Sequence, residues 1–192
     1  MKAEYKSSLR SKKMIREAFF TLLKTKDINK ITATDIIKLA DINRSTFYAH
    51  YPDVYGVIEE LEDEAIEKML EILSNFDFKT FFLNPTPLLL EVSRQIEKEK
   101  EYYQLFIQNN ISNSFFEKLK AMFAKFMLED SNIPNELKSL PVIKIRISYF
   151  AGGIINLYKE WLLNRLDCSL NDISLEISKL LKLEANEDFF NS

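Results

Sequence analysis

Three glycines, five prolines, one cysteine and one histidine are all that 192 residues contain of these types. Each scarcity removes a class of protein. With glycine only at 56, 152 and 153, the chain has neither a phosphate-cradling P-loop nor a glycine-rich dinucleotide turn. The lone Cys168 forms no internal disulfide and suits a reducing compartment. The segment Met1–Lys13 is polar and basic, unlike a secretory signal, so the expected location is cytoplasmic. His50 has no cysteine or acidic cluster at metal-ligand spacing around it, so no metal or other cofactor is expected. A Ser–His–Asp arrangement would have to use that same His50. The acidic run Glu59, Glu60, Glu62, Asp63 and Glu64 reads as the wet side of a helix, and no enzyme activity is expected. The uncharged run Ile147–Tyr158 falls short of the ~20 residues a membrane helix needs, so no membrane partner is expected.

What the chain does have is helix-forming material. Hydrophobic residues make up 46% of it, ample for a folded core, and β-hairpin turn signals are missing. The expectation is an all-α protein. Apolar spacing predicts a first helix over about 8–25, with Leu9, Met14, Ile15, Ala18, Phe19, Leu22 and Leu23 on one face. A long amphipathic helix should open near Pro52 and reach Ser74, using Val57, Ile58, Leu61, Ala65, Ile66, Met69, Leu70 and Leu73. After a break at Asn84-Pro85-Thr86-Pro87, helices are expected near 87–98, 99–108, 112–128, 142–164 and 169–183.

Residues 31–57, ITATDIIKLADINRSTFYAHYPDVYGV, carry the strongest functional signal. Thr32 and Asp35 stand at capping-box spacing, and Ile36, Ile37 and Ala40 supply an apolar face. Asp41 stands where the chain must turn; aspartate tolerates left-handed backbone better than most non-glycine residues. Asn43 can cap a second helix presenting Arg44, Ser45, Thr46, Tyr48 and His50, with Phe47 and Tyr51 sharing its buried side. Helix, tight turn and polar-faced helix make the helix-turn-helix arrangement that places a recognition helix in the major groove. A three-helix cap whose polar residues merely face water has the same spacing. Composition favours the DNA reading, because a solvated face is more typically Lys and Glu. So does charge. Residues 1–55 hold eleven Lys or Arg against six Asp or Glu, a net of +5, while the remainder holds fifteen against twenty-three, a net of −8. A basic end on an acidic body is the electrostatic footprint that phosphate neutralisation requires.

Ile31-Thr32, Ile36, Ala40, Ile42, Arg44, Thr46, Phe47, Tyr48, His50 and Tyr51 together resemble the N-terminal signature of TetR-type transcriptional regulators. The resemblance implies that Thr32 and Tyr48 touch phosphates, that Arg44, Ser45, Thr46 and His50 face the groove, and that Phe47 and Tyr51 pack a small core. The chain departs from the family pattern at two positions. Asp41 replaces the usual turn glycine. Val54 stands where a lysine commonly follows the Asp that opens the fourth helix, which takes away a side-chain phosphate contact; backbone amides there can still face a phosphate.

The remainder of the chain should form a larger helical domain. The segment 142–164 is apolar around most of its circumference, and Ala151, Gly152 and Gly153 would let another helix approach closely. In TetR-like proteins the last two helices build a dimer interface, and this pair resembles that arrangement, although a single-chain helical core would read similarly. The stretch from Ala151 to Leu162 also resembles a subgroup that includes regulators of dihydroxyacetone kinase operons. Phe81, Phe82, Tyr102, Tyr103, Phe106, Phe115, Phe116, Phe123 and Phe126 could line a cavity for a small apolar or aromatic effector, though aromatics at helical spacing more often fill core. The expected organisation is a helix-turn-helix DNA-binding domain at 1–53, a helical regulatory and dimerisation domain at 54–185, and a tail at 186–192. The expected function is a homodimeric repressor of TetR type, bound to a near-palindromic double-stranded operator and released by a small molecule. The alternative is a TetR-like interaction protein acting through a protein partner.

Overall fold

The computed structural model describes residues 2–76, 81, 84–109, 112–129 and 135–186, and the described residues form helices without strands. Of the expected tail at 186–192, Asn186 ends the last helix and the rest lies outside the described residues. Helix α1 runs Lys2–Leu23, α2 Ala33–Leu39, α3 Arg44–His50, α4 Val54–Ser74, α5 Thr86–Lys98, α6 Lys100–Gln108, α7 Ser112–Glu129, α8 Asn135–Ser139, α9 Pro141–Leu162 and α10 Leu170–Asn186. Apart from α8 and the early start of α1, these are the helices that apolar spacing predicts. Along α1 Leu9 is 50% exposed, and among the described side chains of the helix Ile15 is the first that is buried.

The apolar interior falls into two clusters, and α4 contributes to both. Ile15, Phe19, Ile36, Phe47 and Tyr51 join Val57, Ile58 and Leu61 from the first half of α4. Ala65, Met69 and Leu73, from its second half, enter a larger core made with α5, α6, α7, α9 and α10. Phe106 of α6 reaches back into the first cluster. Two further ties fix α4. Glu62, only 4% exposed, accepts from Lys118 Nζ of α7 at 2.9 Å. Lys68 pairs with Glu99 at the start of α6. The acidic run of α4 is therefore not simply its wet side. Glu62 is core-facing, and Glu60 and Glu64 are half-buried partners of α1.

Local chemistry explains the helix ends. Asp41 adopts φ 50°, and the Ile42 N–H reaches back to the Ile37 carbonyl at 3.3 Å, closing α2 with a left-handed residue. Asn164, φ 56°, does the same for α9. Asp53 caps α4 by accepting from the Gly56 N–H at 3.0 Å, so Pro52 lies before the helix and not in its first turn. A Cβ at position 56 would stand 2.8 Å from Pro52 Cδ, which leaves room for glycine alone. Between α5 and α10, Ser93 and Ser174 share a buried hydrogen bond of 2.6 Å, and Ser93 also meets the Tyr158 hydroxyl at 3.1 Å. Small residues there let two helices pack closely with their polar atoms satisfied.

Candidate nucleic-acid interface

The expected capping box is present. Thr32 Oγ1 accepts from the Asp35 N–H at 3.1 Å, while the Thr32 N–H and hydroxyl both donate to Asp35 Oδ2, at 3.0 and 2.8 Å. Lys26 adds an ion pair to the same carboxylate at 3.1 Å. The hydrogen bonds from the Thr32 hydroxyl and N–H, with the Lys26 ammonium beside them, stabilise the carboxylate and lower the Asp35 pKa to about 2. Thr32 is exposed, and a phosphate accepting from its hydroxyl would have to compete with Asp35 for that proton. A folded-state pKa below the unfolded one gives stability that is complete above about pH 4 and lost as pH falls towards 2. Thr32→Ala should cost about 1 kcal/mol, or about 2–4 °C in Tm, at neutral pH. Thermal melts across pH should show that difference shrinking in acid.

The turn then delivers α3. Asn43 occupies its N-cap position, but its side chain makes no capping hydrogen bond; only its carbonyl accepts, from the Thr46 and Phe47 N–H groups. The Asn43 side chain is left exposed. Phe47 is fully buried and Tyr51 nearly so, which anchors one side of α3 in the lobe. On the opposite side Arg44, Ser45, Tyr48 and Ala49 are exposed. The Arg44 guanidinium lies over the Tyr48 ring, 5.3 Å from its centroid, and Nη2 reaches the Tyr48 hydroxyl at 3.5 Å. Stacking restricts a long side chain that would otherwise be mobile, and leaves the guanidinium fork at the helix surface.

Thr46 and His50 differ from Arg44 and Ser45, the other two expected groove residues of α3. Both are half-buried. His50 Nε2 lies 2.7 Å from Ser11 Oγ, so the C-terminal end of α3 is fastened to α1. Beside it, Tyr51 donates to Glu60, and Lys12 pairs with Glu60 and stands 5.8 Å from the Tyr51 ring centroid. Burial works against the Glu60 carboxylate, yet the Lys12 ammonium and the Tyr51 hydroxyl prevail and hold its pKa below the ordinary value. Arg16 grips Glu64 through both guanidinium nitrogens, one at 2.7 Å. These ties lock α1, α3 and α4 into one unit. Sequence reasoning missed Ser11 as a partner of His50, and no spacing in the chain signals a bond between residues 39 positions apart. It also missed Tyr55, 64% exposed in the first turn of α4, next to a buried Val54 that cannot stand in for the absent lysine.

Away from this face, a cavity of about 100 Å³ sits within the larger core. Phe81, Tyr103, Phe106, Phe115, Phe116 and Phe123 line it, together with aliphatic residues of α4, α5, α7 and α9. Tyr102 is instead packed edge-on against Phe20 of α1, centroids 5.0 Å apart, and Phe126 is half-buried and not in the lining. Phe82 lies outside the described residues. Among the described residues no charged side chain borders the cavity. Among the described residues no cluster of His, Cys, Asp or Glu could hold a metal ion, and no helix is long and apolar enough to cross a membrane.

Comparison with known proteins agrees with this geometry. The TetR C-terminal family model described as "Transcriptional regulator C-terminal region" matches residues 83–183. An uncharacterized HTH-type transcriptional regulator of Bacillus subtilis (strain 168), YxbF, is 36% identical over 67 residues. That match takes in 35% of this chain and only 17% of the relative's length. Among solved structures, the dihydroxyacetone kinase operon activator DhaS superposes with a TM-score of 0.61 at 20% identity, covering 92% of this chain and 97% of its own. A TetR transcriptional regulator from Streptococcus agalactiae 2603V gives 0.65 at 20% identity, covering 93% and 97%. At such identities the structural matches speak for the fold.

Proposed function

The chain belongs to the TetR family of transcriptional regulators, and from that premise we propose that it is a homodimeric repressor that reads a near-palindromic operator and is released by a small molecule. The exposed row Arg44, Ser45 and Tyr48 on a helix anchored by Phe47 carries the reading. Thr46 and His50 complete the recognition helix, and Thr32 stands at the start of α2 as a phosphate neighbour. In this reading residues 1–53 form the DNA-binding domain and residues 54–185 the regulatory and dimerisation domain.

Dimerisation is supported by α9. Val142, Ile145, Tyr149, the pair Gly152-Gly153 and Asn156 recur at three- and four-residue steps, and none of them is buried in the core of its own chain. Ile145 is 67% and Tyr149 75% exposed. A Cβ added at Gly152 or Gly153 would meet nothing within 4 Å, so the close approach these glycines permit is not used inside the chain. A second copy supplies it. On α10, Leu180 is likewise exposed and can join the contact.

The cavity suits a neutral, apolar or aromatic effector. At about 100 Å³ it is smaller than the ~150 Å³ engineered cavity that takes benzene, so the ligand is small or the helices part to admit it. Likeness to a dihydroxyacetone kinase operon activator does not bring a polyol with it, because this lining offers little but hydrocarbon. Helix α4 is the lever, since one half packs in each core and Lys118 ties it to the cavity wall. A ligand relieves repression only through its different affinity for the two positions of that lever.

The test is selection of the purified protein against a random duplex library at moderate and high salt. Enrichment of a near-palindrome is the expected result. Sequence-blind binding that disappears with salt would leave only the electrostatics of the lobe and overturn the reading.

A further inference from the structure

Three ion pairs close a triangle between α1, α4 and α6. Arg16 of α1 holds Glu64 of α4, and Lys68 of α4 holds Glu99 at the start of α6. Glu101 of α6 then holds Lys24, just past the end of α1. Five of these six side chains line a cleft of about 350 Å³, which shares no lining residue with the apolar cavity. Buried Leu61 and Ala65, with half-buried Phe20, give the cleft one apolar side. It lies where the lobe meets the regulatory domain.

The other sides are charged and almost balanced. Each carboxylate of the lining carries a cation of the triangle. Lys98, exposed at the end of α5, is the one lining cation without an ion pair among the described residues. Tyr102 completes the lining, its ring edge-on to Phe20 and with its centroid 4.6 Å from that of Phe106. Its hydroxyl is buried and has no hydrogen-bond partner among the described residues. Buried hydroxyls are ordinarily paired, so this one calls for a partner from outside the chain. Burial above all pushes its pKa up, so the group keeps its proton and offers it as a donor. Arg16, Glu99 and Glu64 are among the charges acting on it, which sets it beside the polar part of the cleft.

An apolar side, an unspent donor and one surplus ammonium have a common complement. We propose that this cleft is a second ligand site, distinct from the effector cavity, and that it binds a small organic monocarboxylate. The carboxylate accepts from the Tyr102 hydroxyl and faces the Lys98 ammonium, while the hydrocarbon lies on Phe20, Leu61 and Ala65. A cation is disfavoured, because every carboxylate of the lining is already paired and Lys98 repels it. At more than twice the ~150 Å³ that admits benzene, the cleft has room for an aromatic acid. Such a ligand touches the lobe and the regulatory domain at once.

The probe is benzoate, with benzamide and benzylammonium as its neutral and cationic counterparts, each titrated into the full-length protein by calorimetry. Benzoate should bind once per chain in the millimolar range, benzamide more weakly, and benzylammonium not at all. Tyr102→Phe should weaken benzoate roughly tenfold, through loss of a charge-assisted hydrogen bond. Its melting temperature should stay at or above the parent's, since the hydroxyl removed is unpaired in the free protein. Lys98→Ala should weaken benzoate roughly threefold at low salt, and less as salt is raised, while leaving benzamide unaffected. Arg94→Ala removes a cation of the same helix outside the lining and should change nothing. No benzoate binding through the millimolar range would leave a hydrated crevice and overturn the site. Benzoate affinity unchanged in both Tyr102→Phe and Lys98→Ala would put the acid elsewhere and overturn it equally. Benzylammonium binding as tightly as benzoate would overturn the ligand class. The titrations contain no DNA, so a failure of operator selection and a failure of this site are separate results.

Discussion

Replacing Arg44 with alanine is expected to weaken operator binding by about 5- to 150-fold and to relax the base preference at one position of each half-site, as one good bidentate base contact is worth roughly 1–3 kcal/mol. Arg44 opens α3, where the first turn of a recognition helix meets base edges. Its planar fork matches the paired acceptors of guanine, and its seat over the Tyr48 ring reduces the freedom lost on binding. Arg44→Lys should therefore recover charge but not base preference. Tyr48→Phe keeps the stacking and should cost less, since in the proposed complex it removes only one hydroxyl that would serve a phosphate. Library selection with each variant separates these outcomes. If Arg44→Ala left both affinity and preference unchanged, the lobe would instead be a surface for a protein partner, and the buried Val54 one of several lost DNA contacts.

Much of this geometry was legible before any coordinates. Helix positions followed from apolar spacing and proline, because an amphipathic helix announces its buried face in its own sequence. The left-handed Asp41 and the Thr32–Asp35 box were also legible, since both are interactions within four residues. What escaped were bonds between distant parts of the chain. His50 has a groove-facing position by family resemblance, yet its ring is held by Ser11 on α1. Glu62 sits in a run of five acidic residues, and only the rotation of α4 against α7 selects it for burial. Leu9 and Leu70 fit the apolar pattern of their helices but are half exposed, because periodicity does not reveal how far along a helix its partner extends. Asn43 has the right residue type for a cap and does not make the bond. Propensity states what a side chain can do, and the neighbours decide whether it does.

The same limit applied to α9, whose apolar residues surround most of its circumference. Sequence implies burial on more than one side, and the fold separates the sides. Ile143, Ile147, Ala151 and Tyr158 enter the core, while Ile145 and Tyr149 face out beside two open glycines. Introducing glutamate at both positions, I145E/Y149E, is expected to convert a dimer at micromolar concentration into a monomer in sedimentation equilibrium. Neither side chain supports the core of its own chain, so secondary structure and folding should persist. Four carboxylates brought together across a two-fold axis, in place of apolar contacts, would be strongly unfavourable. The effect on DNA should exceed that of any single recognition residue. A dimer holds its second recognition helix at high effective concentration over the second half-site, an advantage of 10²–10⁴ that a monomer forfeits without losing one base contact. Binding to an isolated half-site should meanwhile stay close to the parent value, since α3 and its anchors are untouched. That pair of results would locate the loss in symmetry rather than in the lobe. A variant that remained dimeric would instead assign the exposed face of α9 to something other than a second copy.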